Sequence, residues 1–204
     1  MRRADKREHL VDIAARLFNR HGYHATGVDQ IMAEAGIAKT TLYRHFASKE
    51  ELIVAALAKA DEATREELRA FVEQSSDDPC DRLLATFDQL RIWLADCEFK
   101  GCPFVAAAGE FGDAKSPVFL QVRLHKRLYL AYFEELVRAA RLAGPKRLAA
   151  QILMLHEGAV ACAQVLGVEG IVESARAAAA RLIEAASQPA PTTAADAARR
   201  SHSR

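Results

Sequence analysis

A set of hydrogen-bond donors with chemistry suited to nucleic acid lies between residues 26 and 49. Its members carry hydroxyl, ammonium or imidazole groups: Thr26, Lys39, Thr40, Thr41, Tyr43, His45 and Lys49. Lys39 can donate to guanine O6 or N7, and the threonine methyl groups can contact the methyl of thymine. Tyr43, His45 and Lys49 suit phosphate oxygens. Thr26 does too if it heads a helix, where free backbone amides also favour an anion. These residue types therefore predict a surface that contacts duplex DNA.

Short helical segments must position these donors. The first is predicted from Asp5 to about Arg20, with a capping-box pattern formed by Asp5 and Glu8 and an apolar stripe at three- and four-residue spacing. Thr26 is predicted to cap the second segment. Gly36 is predicted to end it, because glycine adopts the left-handed conformation without strain.

The third segment is predicted from about Lys39 to His45, and a capping box at Ser48 and Glu51 opens a long helix after it. Ala38 cannot cap the third segment, and the loss of such a cap typically costs about 1 kcal/mol of helix stability. Two short helices joined by a tight glycine turn, behind a longer helix, describe a helix-turn-helix unit. A helical interaction module without DNA binding has the same outline, so the exposed donors must distinguish the two.

Positive charge is concentrated in the first quarter of the chain. Residues 1–50 contain nine Lys or Arg and six acids, whereas the formal net charge of the whole chain is +1. The remainder is therefore slightly acidic. This asymmetry is typical of a phosphate-facing head on a nearly neutral body.

A dense motif follows the glycine turn. Ala35-Gly-Ile37 leads into Leu42-Tyr-Arg-His-Phe46 and, two residues later, Lys49-Glu-Glu-Leu52. This segment resembles the DNA-binding signature of TetR-family transcriptional regulators. The resemblance covers roughly the first 55 residues. It implies a helix-turn-helix head that binds operator DNA, usually as a repressor. The family often has Ser before the recognition-helix lysine, where this chain has Ala38, so a backbone contact from that position is in question.

Composition and periodicity predict that the rest of the chain is helical too. Pro and Gly are sparse, and no stretch alternates apolar with polar residues as a half-buried strand would. The predicted fold class is all-α, with an N-terminal three-helix helix-turn-helix domain and a C-terminal helical bundle for ligand sensing and dimerisation. The predicted domains are residues 1–47 and 48–187, followed by a disordered tail at 188–204.

The last two helices, predicted at about 145–166 and 168–186, are rich in Ala, Gly and Leu almost all the way round. Such helices are unusual on the surface of a monomer. We interpret them as a homodimer interface. One recognition helix makes too few contacts to select an operator, so a twofold dimer on a palindromic site is expected.

The resemblance also implies a cavity for a small-molecule effector among residues 50–142. The candidate ligand-binding residues combine aromatic walls with polar groups: Trp93, Phe104, Phe111, Arg123, His125 and Tyr129. Further candidates for the cavity are Phe87, Phe119, Phe133 and Glu110. The sequence does not identify the effector itself.

Cys102 is a candidate thiol sensor. It is predicted at the start of a short helix beside Lys100, a setting that stabilises a thiolate, and Cys97 lies five residues away as a resolving partner. An electrophile- or redox-responsive regulator is therefore an alternative to simple ligand release. A buried, inert cysteine is the competing interpretation.

The sequence lacks the signature motifs of several other protein classes. His156-Glu157 lacks the second histidine of a zinc-protease motif, and the chain has neither a glycine-rich phosphate loop nor a nucleophile elbow. We therefore expect no enzyme activity, no cofactor and no metal site. No uncharged apolar run reaches 18 residues, and the basic N-terminus precedes no apolar segment. These features predict a cytoplasmic protein, without a membrane partner, whose four cysteines are reduced.

Overall fold

The computed structural model describes residues 3–96 and 98–188. This part of the chain forms α-helices and contains no strand, which confirms the all-α fold class. The helices are α1 (Arg3–His21), α2 (Val28–Ala35), α3 (Lys39–His45), α4 (Lys49–Ser75), α5 (Pro79–Leu94), α6 (Pro103–Glu110), α7 (Pro117–Ala139), α8 (Pro145–Leu166) and α9 (Ile171–Ser187). All of the predicted tail except Gln188 lies outside the described residues.

The predicted caps at Gly36 and Ser48 are confirmed. Gly36 ends α2 with φ 62°, in the left-handed region. The Ser48 hydroxyl accepts from the Glu51 amide at 3.1 Å, while the Glu51 carboxylate accepts from the Ala47 amide at 2.6 Å. Ala38 begins α3 without a side-chain cap, as its methyl group requires. Local chemistry thus fixes the ends of the short helices around the predicted DNA-binding surface.

Two predicted helix starts were wrong. α1 begins at Arg3, so Asp5 lies in its first turn and does not cap it. α2 begins at Val28 with Gly27 as its N-cap, one residue beyond the predicted cap Thr26.

The Thr26 side chain is fully buried. Its hydroxyl donates back to the carbonyl oxygens of Gly22 at 2.7 Å and Leu17 at 3.2 Å. The hydroxyl is enclosed and already bonded in this arrangement, and its predicted contact with a phosphate stays a prediction. Thr26 holds the turn after α1 against the end of that helix.

One apolar core joins α1, α2 and α3 to the rest of the molecule. It is built from residues of α1 to α4 such as Leu10, Ile31 and Leu42, together with Phe104 of α6 and Val118 of α7. A second core lies among α4, α5, α7, α8 and α9. Because α4 contributes to both, movement in the larger bundle can reach the N-terminal head. The domain boundary between residues 47 and 48 stays a prediction.

Helix α8 buries one face and exposes another that is apolar. Met154, Val165 and Leu166 are 66%, 80% and 75% exposed, respectively. By length and composition alone, α8 is the one described helix apolar enough to cross a membrane, which a core helix of a soluble protein also satisfies. Its inner face packs on α5, α7 and α9. The exposed apolar face of α8 is therefore left uncovered by the other described helices.

Candidate DNA-binding surface and effector cavity

The outer face of α3 presents donors to solvent. Leu42 and Phe46 are buried in the first core and fix the rotation of the helix. That rotation leaves Lys39 and Thr40 exposed, and Tyr43 is 46% exposed. Side chains at these positions can reach base edges and phosphates if the helix enters the major groove. Thr41 lies half-buried on the same short helix.

His45 and Lys49 flank the end of α3 and are both half-buried. The Lys49 ammonium group donates to the carbonyl oxygen of His24 at 3.2 Å. Burial lowers the pKa of Lys49, and the nearby Glu110 carboxylate partly opposes that shift. This ammonium group therefore joins the start of α4 to the turn after α1, and a phosphate would share it with that carbonyl.

Glu110, at the end of α6, ties the same turn to the larger bundle. Its carboxylate accepts from the backbone amides of Tyr23 at 2.8 Å and His24 at 2.6 Å. The His24 ring bonds the Glu110 carbonyl oxygen at 2.9 Å and stacks on Phe111 with centroids 4.7 Å apart. Glu110 and Phe111 contact the head and are not part of the cavity wall described below, so their predicted ligand contacts stay predictions. We call this contact set, formed by Tyr23, His24, Glu110 and Phe111, the latch.

A cavity of about 380 Å³ lies between the head and the bundle. Its wall takes Phe18 and Tyr23 from the head, along with predicted ligand-binding residues from α5, α6 and α7: Trp93, Phe104, His125 and Tyr129. Its size and mainly apolar wall are typical of small-molecule sites. A molecule bound there would touch both parts of the protein.

Arg123 does not line this cavity, and its predicted contact with a ligand stays a prediction. Its guanidinium donates to the Ala114 carbonyl oxygen at 3.2 Å and lies 5.5 Å from the centre of the Phe119 ring. His125 and Tyr129 are four residues apart and share the inner face of α7. Arg123, two residues before His125, points elsewhere, since positions i and i+2 of a helix do not share a face.

The comparisons with known proteins agree on one family. Residues 10–56 match the model described as bacterial regulatory proteins, tetR family, and residues 79–179 match the tetracyclin repressor-like C-terminal domain. SCO4454, a TetR-family transcriptional regulator from Streptomyces coelicolor, superposes with a TM-score of 0.83 at 30% identity, over 91% of this chain and 97% of that one. The chain belongs to the TetR family. It is a helix-turn-helix, DNA-binding transcriptional regulator, and members of this family are typically ligand-responsive repressors.

Two regulators from Bacillus subtilis (strain 168) show how the similarity is distributed. YxaF is 40% identical over 76 residues, which are 37% of this chain and 40% of that protein. LmrA is 29% identical over 136 residues, or 66% of this chain and 72% of that one. These relatives of the chain are regulators of transcription, which are not enzymes.

A buried ion network lies beside the cavity of this TetR-family regulator. Asp61 of α4 accepts two bonds from Arg65, each of 3.0 Å, and lies 2.7 Å from Nδ1 of His125. Burial raises the pKa of Asp61, but the bonds from Arg65 and His125 outweigh it and hold that pKa below its ordinary value. Burial also lowers the pKa of His125, against the opposing effect of Asp61. The His125 ring is thereby fixed parallel to Phe104, with centroids 3.5 Å apart.

Cys102 borders the cavity at the N-cap of α6, where its side chain makes no cap hydrogen bond. Its sulfur lies 3.8 Å from the ammonium group of Lys126, which also bonds both carboxylate oxygens of Glu157 at 2.6 Å. Lys126 of α7 therefore places a positive charge next to the thiol. The predicted partner Cys97 lies outside the described residues.

The sequence interpretation missed Lys126, His156 and Glu157 as residues of the cavity wall. His156 was considered only as part of a metal motif. The α8 pattern contained a usable signal, because His156 continues the buried stripe of Leu148 and Ile152 at four-residue spacing. A polar residue on an otherwise apolar inner stripe is a candidate for ligand contact.

Proposed function

We propose that this regulator binds a palindromic operator as a homodimer in the cytoplasm and releases it when a small molecule fills the cavity. The observation that carries the proposal is the position of the cavity, whose wall includes Phe18 of α1 and Tyr23 of the following turn. A ligand there contacts the head directly. It can therefore favour one arrangement of the head over another, which is the condition for a change in DNA affinity.

The DNA-contacting residues in this proposal are Lys39, Thr40, Thr41, Tyr43, His45 and Lys49. Support comes from the exposure of Lys39, Thr40 and Tyr43 on the face of α3 opposite its buried residues. The apolar outer face of α8 supports pairing of two subunits, and α9 lies beside it. Pairing sets two copies of α3 about a twofold axis, which a palindrome matches.

A gel-shift assay with the DNA upstream of this protein's own gene tests operator binding. We expect selective, salt-sensitive binding, because neutralising phosphates releases counterions. Lys39→Ala and Tyr43→Phe should each weaken it by about tenfold, in line with the loss of one charged or polar contact. Lys146→Ala, an exposed lysine on α8, is the matched control and should bind like the parent. Equal binding to unrelated DNA of the same length would refute operator recognition.

A second candidate function is thiol sensing at Cys102. The Cys102 sulfur borders the cavity, 3.8 Å from the Lys126 ammonium group. It would add to one alkene carbon of an electrophile such as N-ethylmaleimide, and the thiol proton would end on the other alkene carbon. We expect this reagent to release DNA from the parent protein but not from Cys102→Ser. Cys162→Ser, at an exposed cysteine of α8, is the control. Unchanged release by the Cys102 variant removes this candidate.

A further inference from the structure

Two polar side chains, His156 and Tyr129, lie together on the cavity wall. The side chain of His156 is 3% exposed, and neither ring nitrogen makes a hydrogen bond of normal geometry. Tyr129 is 5% exposed and lines the same cavity. The two rings are neighbours, with centroids 5.8 Å apart. Since buried polar groups are normally bonded, the His156 ring marks a place where a ligand group completes the wall.

Both groups are uncharged near neutral pH. Burial among Phe87, Phe133 and Tyr129 lowers the pKa of His156 to about 4, while Glu157 and the Thr86 backbone oppose that shift. A neutral imidazole offers one donor and one acceptor nitrogen, and the tyrosine hydroxyl can play either role. A hydroxyl group on a ligand is the smallest partner that both donates and accepts.

The charges of the wall favour an uncharged ligand. The ammonium group of Lys126, in the inner part of the wall, forms a salt bridge with Glu157 at 2.6 Å. The other ionic groups of the wall that are exposed are Arg16, Glu67, Asp96, Glu98 and Lys100. Acids slightly outnumber bases over the whole wall. A carboxylate bound beside Tyr129 and His156 would lose its hydration next to an ammonium group that is already paired, which is unfavourable.

The shape of the wall favours flat rings. Phe104 and His125 stack at 3.5 Å with their planes only 6° apart. Trp93 and Phe99 meet edge to face on another side, and Phe18 stacks on Tyr23. Flat apolar walls of this kind pack well on aromatic ligands. A volume of about 380 Å³ admits a molecule of two or three fused rings.

We propose that the cavity binds an uncharged, hydroxyl-bearing aromatic molecule, and that the Tyr129 hydroxyl and the His156 imidazole hydrogen-bond its hydroxyl group. The proposal rests on the ligand-release function above and specifies the chemical class of its effector.

Isothermal titration calorimetry with three molecules of one skeleton tests the class: 2-naphthol, 2-naphthoate and naphthalene. We expect the full-length protein to bind 2-naphthol at least about tenfold more tightly than 2-naphthoate, because the carboxylate is poorly solvated in the cavity. Tighter binding of 2-naphthoate, or binding of none of the three, overturns the proposal. Retardation of the upstream DNA by the same preparation separates the outcomes. Operator binding without 2-naphthol binding leaves the proposed function standing and removes only this inference.

Two variants test the residues. Tyr129→Phe removes one oxygen and should weaken 2-naphthol by about fivefold to tenfold, while leaving naphthalene unchanged. Tyr132→Phe is the matched control, because its hydroxyl is buried and unbonded among the described residues but does not line the cavity. His156→Gln keeps a donor and an acceptor and should retain more 2-naphthol affinity than His156→Phe. Equal effects of the variants at 129 and 132, or no loss in either His156 variant, overturn the assignment of these groups.

Discussion

At the scale of single residues, Thr26 shows how one hydroxyl can belong to the fold rather than to the DNA-binding surface. We expect Thr26→Val to lower the free energy of unfolding by about 1 kcal/mol, since it removes the donor to Gly22 and Leu17 without changing side-chain volume. Urea denaturation measures this. Thr40→Val, on the exposed face of α3, should leave stability unchanged and weaken operator binding. If Thr26→Val instead weakened operator binding and left stability unchanged, Thr26 would belong to the DNA-binding surface.

His156 makes stability depend on acidity. The folded protein holds this imidazole neutral, with its pKa lowered from 6.5 to about 4 by burial. The unfolded chain therefore binds the proton first as pH falls, and stability is lost between about pH 6.5 and pH 4. The expected loss from this group over that window is about 3 kcal/mol.

His156→Phe should flatten this acid-side decline, as measured by urea denaturation at a series of pH values. The carboxylates still titrate in both proteins, so the difference between the two curves isolates His156. Parallel curves would show that the ring is not held neutral.

At the scale of elements, the sequence predicted the short helices better than their contacts. Gly36 and Ser48 act on neighbouring residues, so their caps could be predicted from local chemistry. The polar groups around the cavity could not, because their partners are distant in sequence. Asp61 bonds His125 across 64 residues. No local pattern indicates which faces of two long helices meet.

The latch is the element-scale device that joins α6 to the head. Glu110→Ala removes the acceptor for the Tyr23 and His24 amides. We expect these amides to exchange with deuterium at least about tenfold faster, because charge-assisted bonds are worth roughly 1.5–3 kcal/mol each. Mass spectrometry of the peptide spanning residues 22–27 measures the rate.

Glu169→Ala, at an exposed acid between α8 and α9, is the control for the latch variant and should leave that peptide unchanged. Unchanged exchange in Glu110→Ala would show that the head is held by its apolar core alone. The head and the bundle would then communicate through α4 and Phe104.

At the scale of the whole molecule, two features favour the pairing of two subunits. These are the exposed apolar face of α8 and the single short recognition helix, α3. Met154, Val165 and Leu166 expose large apolar side chains on α8. In the proposed homodimer, a second copy covers that face and doubles the number of DNA contacts. Operator affinity and subunit pairing should therefore be lost together.

Met154→Asp combined with Val165→Asp should convert the dimer to monomer, because pairing would bury carboxylates without partners. Sedimentation velocity measures the mass, and operator affinity should fall by at least about a hundredfold, as expected when half of a two-site recognition surface is removed. Ile92→Asp places the same charge on an apolar side chain of another helix, α5, that is 56% exposed. It should leave the mass and the affinity intact. If Ile92→Asp gave the monomer and the α8 variant did not, the subunits would pair through α5.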